Sequence, residues 1–311
     1  MPIPEFPSAS ASPEEKADWV ELSALHSPQG VTVRGLMRDF GIGGVIDADA
    51  DWENGRQMDE DDEICEGQVE DIFNELSGRA IFCSEAYPFE VKSAAIQYKD
   101  DGVDSVYAFL ALLSKFGKDA GPPGSNGAKL FEEVCAKAAE TYLGDNEYTA
   151  SYVFGFPRRL APADFKSALD LLCRELGEGS GHRPGRNELP DQKDAKLDVV
   201  AWRDFRDKRQ GKLIAFGQCA TGQNWEEKLS ELPDTGKWCG SWMRDFPSVL
   251  PIRMFFVPHR IELSRWLKAC WDGGILFDRC RIAELTINLP EEIKGKCAEW
   301  VNHVLKEKLR G

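Results

Sequence analysis

The sequence predicts an α/β protein with a mixed central sheet flanked by helices, preceded by an acidic α+β region. Three observations point there. Strand-like and helix-like segments alternate from residue 127 onward, which predicts a sheet with helices on its faces. Two strand segments, 197–203 and 212–219, are joined by the polar turn RDKRQG, so part of the sheet is an antiparallel hairpin. Charge divides the chain: residues 1–150 carry 30 acidic and 11 basic side chains, a formal −19, and residues 151–311 carry 23 and 27, a formal +4.

Composition narrows the function classes. With 42% hydrophobic residues, 17 Phe and 9 Trp in 311 residues, a sizeable core is expected and global disorder is excluded. No apolar run approaches the ~20 residues of a membrane helix. The opening MPIPEFPSASASPEEK lacks the basic and apolar stretches of a signal peptide, so a cytoplasmic location with no membrane association is expected. Nine cysteines (65, 83, 135, 173, 219, 239, 270, 280, 297) stand singly, without a C-x-x-C pair. That excludes a C-x-x-C zinc cluster and predicts buried thiols in a reducing compartment. The four histidines (26, 182, 259, 303) form no H-x-x-x-H pair, and His259 reads as a helix-start residue.

Residues 1–15, rich in Pro, Ser and Ala, are expected to be mobile, and a helix follows from Glu14 to His26. VTVRGLMRDFGIGGVID has glycines at 41, 43 and 44 but not the G-x-G-x-x-G order of a nucleotide loop. The acidic run over 47–71 lacks the ligand order of a calcium loop and reads as a solvated loop entering a helix near Gly67–Gly78. IFCSEAYPFEV predicts strand, turn, strand. VDSVYAFLALLSKFG predicts a buried helix. GPPGSNG at 121–127 is the clearest break and separates an acidic region, 16–124, from a second domain, 125–311.

The second domain opens with the helix KLFEEVCAKAAETYLG, whose apolar stripe is Leu130, Val134, Ala138 and Tyr142 or Leu143. Pro162 and Asp164 signal the start of a helix over Phe165–Leu176. LDVVAWR and KLIAFGQC predict strands, NWEEKLSEL a helix, IRMFFVP a strand and RIELSRWLKAC a helix. GILFD and EEIKGKCAEWVNHVLKEKL complete the alternation as a short strand and a helix. Trp225, Trp238, Trp242, Trp266 and Trp271 are expected in the core.

A hairpin centred on Lys208 pairs residues whose numbers sum to about 416. Asp198 and Gln218 are then direct neighbours, with Cβ atoms ~5 Å apart. A carboxylate, an amide oxygen and the adjoining Cys219 carbonyl form a hard oxygen set suited to Mg2+ or Mn2+. Such an ion polarises a phosphodiester and lowers the pKa of a bound water.

These residues resemble the PD-(D/E)XK nuclease superfamily, and within it Mrr-type restriction endonucleases. The matching pieces are Asp198 before one strand, Gln218-Cys219-Ala220 ending the next, Trp225 opening a helix, and Phe131-Glu132-Glu133 on the preceding helix. The resemblance covers about 127–280. It implies a restriction-endonuclease-like core, a Mg2+- or Mn2+-dependent DNA endonuclease, and a bacterial restriction or phage-defence role. Metal would be held by Asp198, Gln218, Cys219 and one of Glu132, Glu133 or Glu178. Adjacent residues on a helix lie about 100° apart, so Glu132 and Glu133 cannot both face the site.

One position departs from the family: Ala220 stands where it places a lysine. Two readings follow. Lys228, on the next helix, replaces that lysine, with Asn224 adding a hydrogen bond. Otherwise the chain is an inactive nuclease-fold interaction subunit. Lys212 is six residues from Gln218 on the same strand, ~20 Å away. Arg158, Arg159, Arg183, Arg186, Arg203, Arg206, Lys208 and Arg209 supply positive charge around the site, and the clusters FPRRL and RDFRDKRQG are expected to grip DNA phosphates. The acidic first half is expected to dock a protein partner (a helicase, ATPase or sensor subunit) or to mimic DNA.

Overall fold

The structure, a computed structural model, describes residues 7–8, 10–27, 29–33, 35–36, 60–93, 95–99, 105–155, 164–183 and 195–309. The glycine segment at 41–44, most of the acidic run over 47–71, and Arg158, Arg159, Pro162 and Arg186 lie outside them.

The N-terminal region is α+β. Helix α1 (Pro13–His26) starts at Ser12, whose hydroxyl accepts from the Glu15 N–H, and has Pro13 in its first turn. A short strand β1 (Val31–Thr32) precedes α2 (Glu60–Cys83). Strands β2 (Phe89–Lys92) and β3 (Ala95–Tyr98) form with β1 an antiparallel sheet of order β1-β3-β2. The strand expected at Ile81–Cys83 is instead the last turn of α2, because that helix extends well past Gly78. Helix α3 (Val106–Phe116) is buried from Val106 through Ser114.

The second half is a five-stranded mixed sheet flanked by helices. Helix α4 (Gly127–Tyr142) is capped by Asn126, whose side chain accepts from the N–H groups of Ala128 and Lys129. Strand β4 (Thr149–Val153) follows. Helix α5 (Phe165–Leu176) is capped by Asp164 and ends at Gly177, whose φ of 67° is left-handed. Strands β5 (Val199–Arg203) and β6 (Leu213–Cys219) form the hairpin. Helices α6 (Trp225–Lys228) and α7 (Thr235–Trp242), strand β7 (Ile252–Phe256) and helix α8 (Leu263–Gly273) come next. Strand β8 (Ile275–Phe277), helix α9 (Arg279–Leu285) and helix α10 (Glu291–Val304) complete the described chain, with a π turn at Leu305–Leu309.

The strand order is β4-β5-β6-β7-β8. β4, β5 and β6 are antiparallel neighbours, whereas β6–β7 and β7–β8 are parallel. The hairpin register is the expected one: Val199 faces Gly217 and Arg203 faces Leu213. Alternation sends Val199, Ala201 and Ala215 into one core with α4. It sends Val200, Trp202, Ile214 and Phe216 into another with α5 and α7. The first core is continuous across the Gly/Pro break: it joins Ala17, Val20 and Tyr107 to Val134, Phe256, Trp300 and Leu309. Trp271 departs from its expected core position; it is exposed on α8 beside exposed Leu263 and Leu267. The described cysteines are buried apart from half-buried Cys219 and Cys270, and all are free thiols.

A buried ionic network, with no signature in the sequence, locks the two halves together. Arg79 of α2 and Arg279 of α9 share Asp18 of α1, at 2.6 and 2.7 Å. They also share Glu21, at 3.0 and 3.4 Å. Glu21 accepts from the Tyr87 and Tyr107 hydroxyls, at 2.7 and 2.8 Å. Arg260 bridges Glu75 and Asp278, at 2.9 and 2.6 Å. Burial alone would raise the Asp18 carboxyl, but Arg279 and Arg79 override it and hold the group well below the usual carboxylate range.

His259 lies between β7 and α8 rather than at a helix start. Its Nε2 meets the Gly222 carbonyl at 3.1 Å. Burial, reinforced by Arg279, pushes its pKa down to about 4. The unfolded chain therefore takes up a proton near pH 6.5 that the folded chain refuses until about pH 4. Stability attributable to His259 is complete above pH 6.5 and is lost as pH falls toward 4, by about 3 kcal/mol. Denaturant titrations at pH 7 and pH 4.5 should show that loss, and His259→Gln should reduce it; an equally steep loss in the variant would remove His259 as its cause.

Candidate active site

The site is built where α4, the end of β4 and the start of β5 meet. The Asp198 backbone is tied on both sides: its N–H donates to the Gly217 carbonyl, and its carbonyl accepts from Phe154 and Gly155. Its side-chain Oδ2 accepts from the Cys219 N–H at 2.8 Å. These bonds fix a half-buried carboxylate at the end of the hairpin.

Glu132 reaches the same place from α4 and is 7% exposed. The two carboxylates converge on Gly155. A Cβ on that glycine would lie 2.9 Å from Glu132 Cδ and 3.1 Å from Asp198 Oδ1. The two groups are therefore at most about 6 Å apart. Lys129, one turn earlier on α4, donates to both Glu132 oxygens at 2.8 Å. Burial raises the pKa of the Cys135 thiol and pushes that of Cys219 well above its ordinary value, which leaves neither thiol activated as a nucleophile.

Among the described residues, no group of three His, Cys, Asp or Glu side chains is arranged to hold a metal. Two carboxylates are nevertheless what Mg2+ commonly takes from protein, its other positions going to water and substrate phosphate. The donor set suits that ion on chemistry: hard oxygens, one pair, at the end of a rigid hairpin.

The other expected residues are distributed differently. The β5–β6 ladder ends at Val199–Gly217, short of the expected Asp198–Gln218 pair, and pleat alternation turns Gln218 to the opposite face from Cys219. There its amide oxygen accepts from the Leu232 N–H at 3.1 Å and its amide nitrogen donates to Glu231 at 3.2 Å. It ties β6 to the segment after α6. Glu133 faces α10, 2.9 Å from Lys296, so the helix presents Glu132 alone to Asp198.

Glu178 lies near the turn end of the hairpin. It is 3% exposed, and its two oxygens accept from the Gly211 and Ser248 N–H groups at 2.8 and 2.6 Å. It staples two loops and is no part of the carboxylate pair. Arg203, Arg206, Lys208 and Arg209 sit at that same end, about 17 Å of strand from Asp198. Arg203 donates to the Leu143 carbonyl, Arg206 to the Tyr148 hydroxyl, and Lys208 pairs with Asp204. They do not surround the site as expected. Arg183 donates to the Gly240 carbonyl.

Lys228 is half-buried on α6, whose Trp225 packs with Ala220 and Phe255. Asn224 is exposed and donates to Glu227 at 3.2 Å. Two contributors were not read from the sequence. Lys129 belongs to no motif in the sequence, and only its contact with Glu132 singles it out. Strand β4 was not assigned, although TASYVF, bounded by GDNE and GFP, has β-branched and aromatic residues between turn signals.

No family model, curated protein or solved structure matches this chain. Among the described residues, no helix is long and apolar enough to cross a membrane.

Proposed function

We propose that this chain is a metal-dependent nuclease acting on DNA, with Glu132 and Asp198 as its carboxylate pair. The convergence of those two side chains on Gly155 carries the reading. Helix α4 followed by the antiparallel strands β4, β5 and β6, with α5 inserted between β4 and β5, and then by parallel β7 is compatible with the restriction-endonuclease-like core that the PD-(D/E)XK resemblance implies. The formal +4 of residues 151–311 also favours a polyanionic substrate.

Glu132 and Asp198 would hold Mg2+ or Mn2+, which when bound polarises a phosphodiester and activates water. The backbone bonds around Asp198 keep its carboxylate in place, and α4 sets the height of Glu132. A restriction or phage-defence role, and a helicase, ATPase or sensor partner on the acidic half, belong to the same proposal and rest on the resemblance and the charge.

Two observations favour a second reading, an inactive nuclease-fold interaction subunit. Ala220 is fully buried against Trp225, and Gln218 faces away from Asp198. A cleavage assay separates the two. Purified chain should cut duplex or single-stranded DNA with Mg2+ or Mn2+ and not with EDTA, and Asp198→Ala should abolish cutting. Equal cutting by wild type and Asp198→Ala would sink the nuclease reading, as would a wild type that cuts neither DNA nor RNA.

A further inference from the structure

We infer that Lys129 is the site's own counter-cation: it neutralises the Glu132–Asp198 pair before a divalent ion arrives and afterwards remains as the positive charge beside the substrate phosphate. The inference rests on the nuclease reading and assigns within it the basic group that position 220 lacks.

Three observations lead to it. The first is contact: the Lys129 ammonium lies 2.8 Å from both oxygens of Glu132, and Glu132 shares the Gly155 cradle with Asp198. Two carboxylates this close repel each other, and a cation on one relieves both.

The second is the position of Lys129 in its helix. Asn126 is the N-cap, so Lys129 occupies the third helical position. That place favours Glu or Gln, and the positive end of the helix dipole disfavours a lysine there. A residue set against its local preference marks a functional site when something nearby compensates it. Here the compensation is Glu132.

The third is access. Lys129 lines an open groove of about 950 Å3 between the Pro122–Asn126 loop, α4, β4 and α10. Its side chain is 22% exposed, against 9% for that of Glu132. Lys129 thus both contacts buried Glu132 and lines the open groove. Lys228, by contrast, lies on a helix whose Trp225 packs with Ala220 and Phe255.

When a divalent ion takes Glu132, Lys129 must release it. Being one turn away on the same rigid helix, it stays within a side-chain length of the site. There it meets the charge that develops on a phosphate under attack, in the way pre-placed cations lower such barriers. No proton transfer is required of it.

The test uses the full chain as wild type, Lys129→Ala, Lys129→Gln and Lys129→Arg, with folding checked by circular dichroism and melting. Two quantities are measured: Mn2+ affinity by calorimetry without DNA, and Mn2+-dependent DNA cleavage. Removing the competing ammonium should tighten Mn2+ binding roughly tenfold in Lys129→Ala and Lys129→Gln. The same variants should lose cleavage by about 100-fold, and Lys129→Arg should recover much of it.

Cleavage by folded Lys129→Ala within threefold of wild type, with Asp198→Ala inactive, would overturn the lysine assignment and leave the nuclease reading intact. Unchanged or weaker Mn2+ binding in Lys129→Ala would overturn the counter-cation role. A wild type that cleaves nothing removes the nuclease reading and the catalytic half of the inference; the Mn2+ titration then decides the rest.

Discussion

Arg279→Ala is expected to destabilise the protein by about 3–5 kcal/mol, the range for breaking a buried ion pair from one side. The size follows from what the substitution leaves behind. Arg279 is fully buried. It donates to Asp18 at 2.7 and 2.9 Å, to the Pro258 carbonyl at 3.0 Å and to Ser114 at 3.2 Å. Without it, partly exposed Asp18 and fully buried Glu21 share only Arg79 among the network's guanidiniums, and at Glu21 water does not replace the lost donor. The melting temperature should fall on the order of 10 °C. Arg279→Lys keeps the charge but not the planar fork, so it should recover only part of the loss. A change below 1 kcal/mol for Arg279→Ala would mean that the network relaxes or hydrates freely.

Gly155→Ala should do the opposite, leaving stability almost intact while removing function. Its φ lies outside the left-handed region, so alanine meets no backbone strain. The added methyl would collide with Glu132 and approach Asp198 Oδ1 at 3.1 Å. The Glu132 carboxyl is the end of a flexible side chain, and it can swing aside at a cost of about 1 kcal/mol, the low end for overpacking. Swinging aside ends its convergence with Asp198. Mn2+ binding should weaken by tenfold or more, and cleavage should fall about 100-fold, the usual consequence of an ångström-scale misplacement. Melting, titration and cleavage on one preparation check all three. Wild-type cleavage by this variant would show that the chemistry lies elsewhere.

The hairpin shows how far the sequence could be read. Its register follows from local information: a polar turn at Lys208 fixes the pairing, and β5 and β6 obey it to the residue. Extended one residue beyond that ladder, which ends at Val199–Gly217, the register predicts Asp198 opposite Gln218. It did not show where either side chain goes, because strand-end geometry bends Asp198 back onto the Cys219 N–H while Gln218 follows the pleat. The choice between Glu132 and Glu133 was open because helical spacing limits the site to one without saying which. Packing of α4 on α10 resolves it, through Lys296.

Long-range partners were the least legible. Glu178 binds N–H groups 33 and 70 residues away, and no local pattern announces either. The same holds for Asp18 with Arg79 and Arg279, separated by 61 and 261 residues. The basic segments read as a source of phosphate contacts because sequence shows eight cations but not the carboxylates and carbonyls that occupy most of the described ones.

That 261-residue separation also sets a timetable for synthesis. Asp18 leaves the ribosome long before Arg279 exists; at ~5–20 residues per second the interval is about 13–50 s. Throughout it, Glu21 and the apolar faces of α1 to α3 lack the elements that will enclose them. The nascent segment therefore waits incomplete, and its formal −19 over residues 1–150 provides the self-repulsion that keeps neighbouring nascent chains apart.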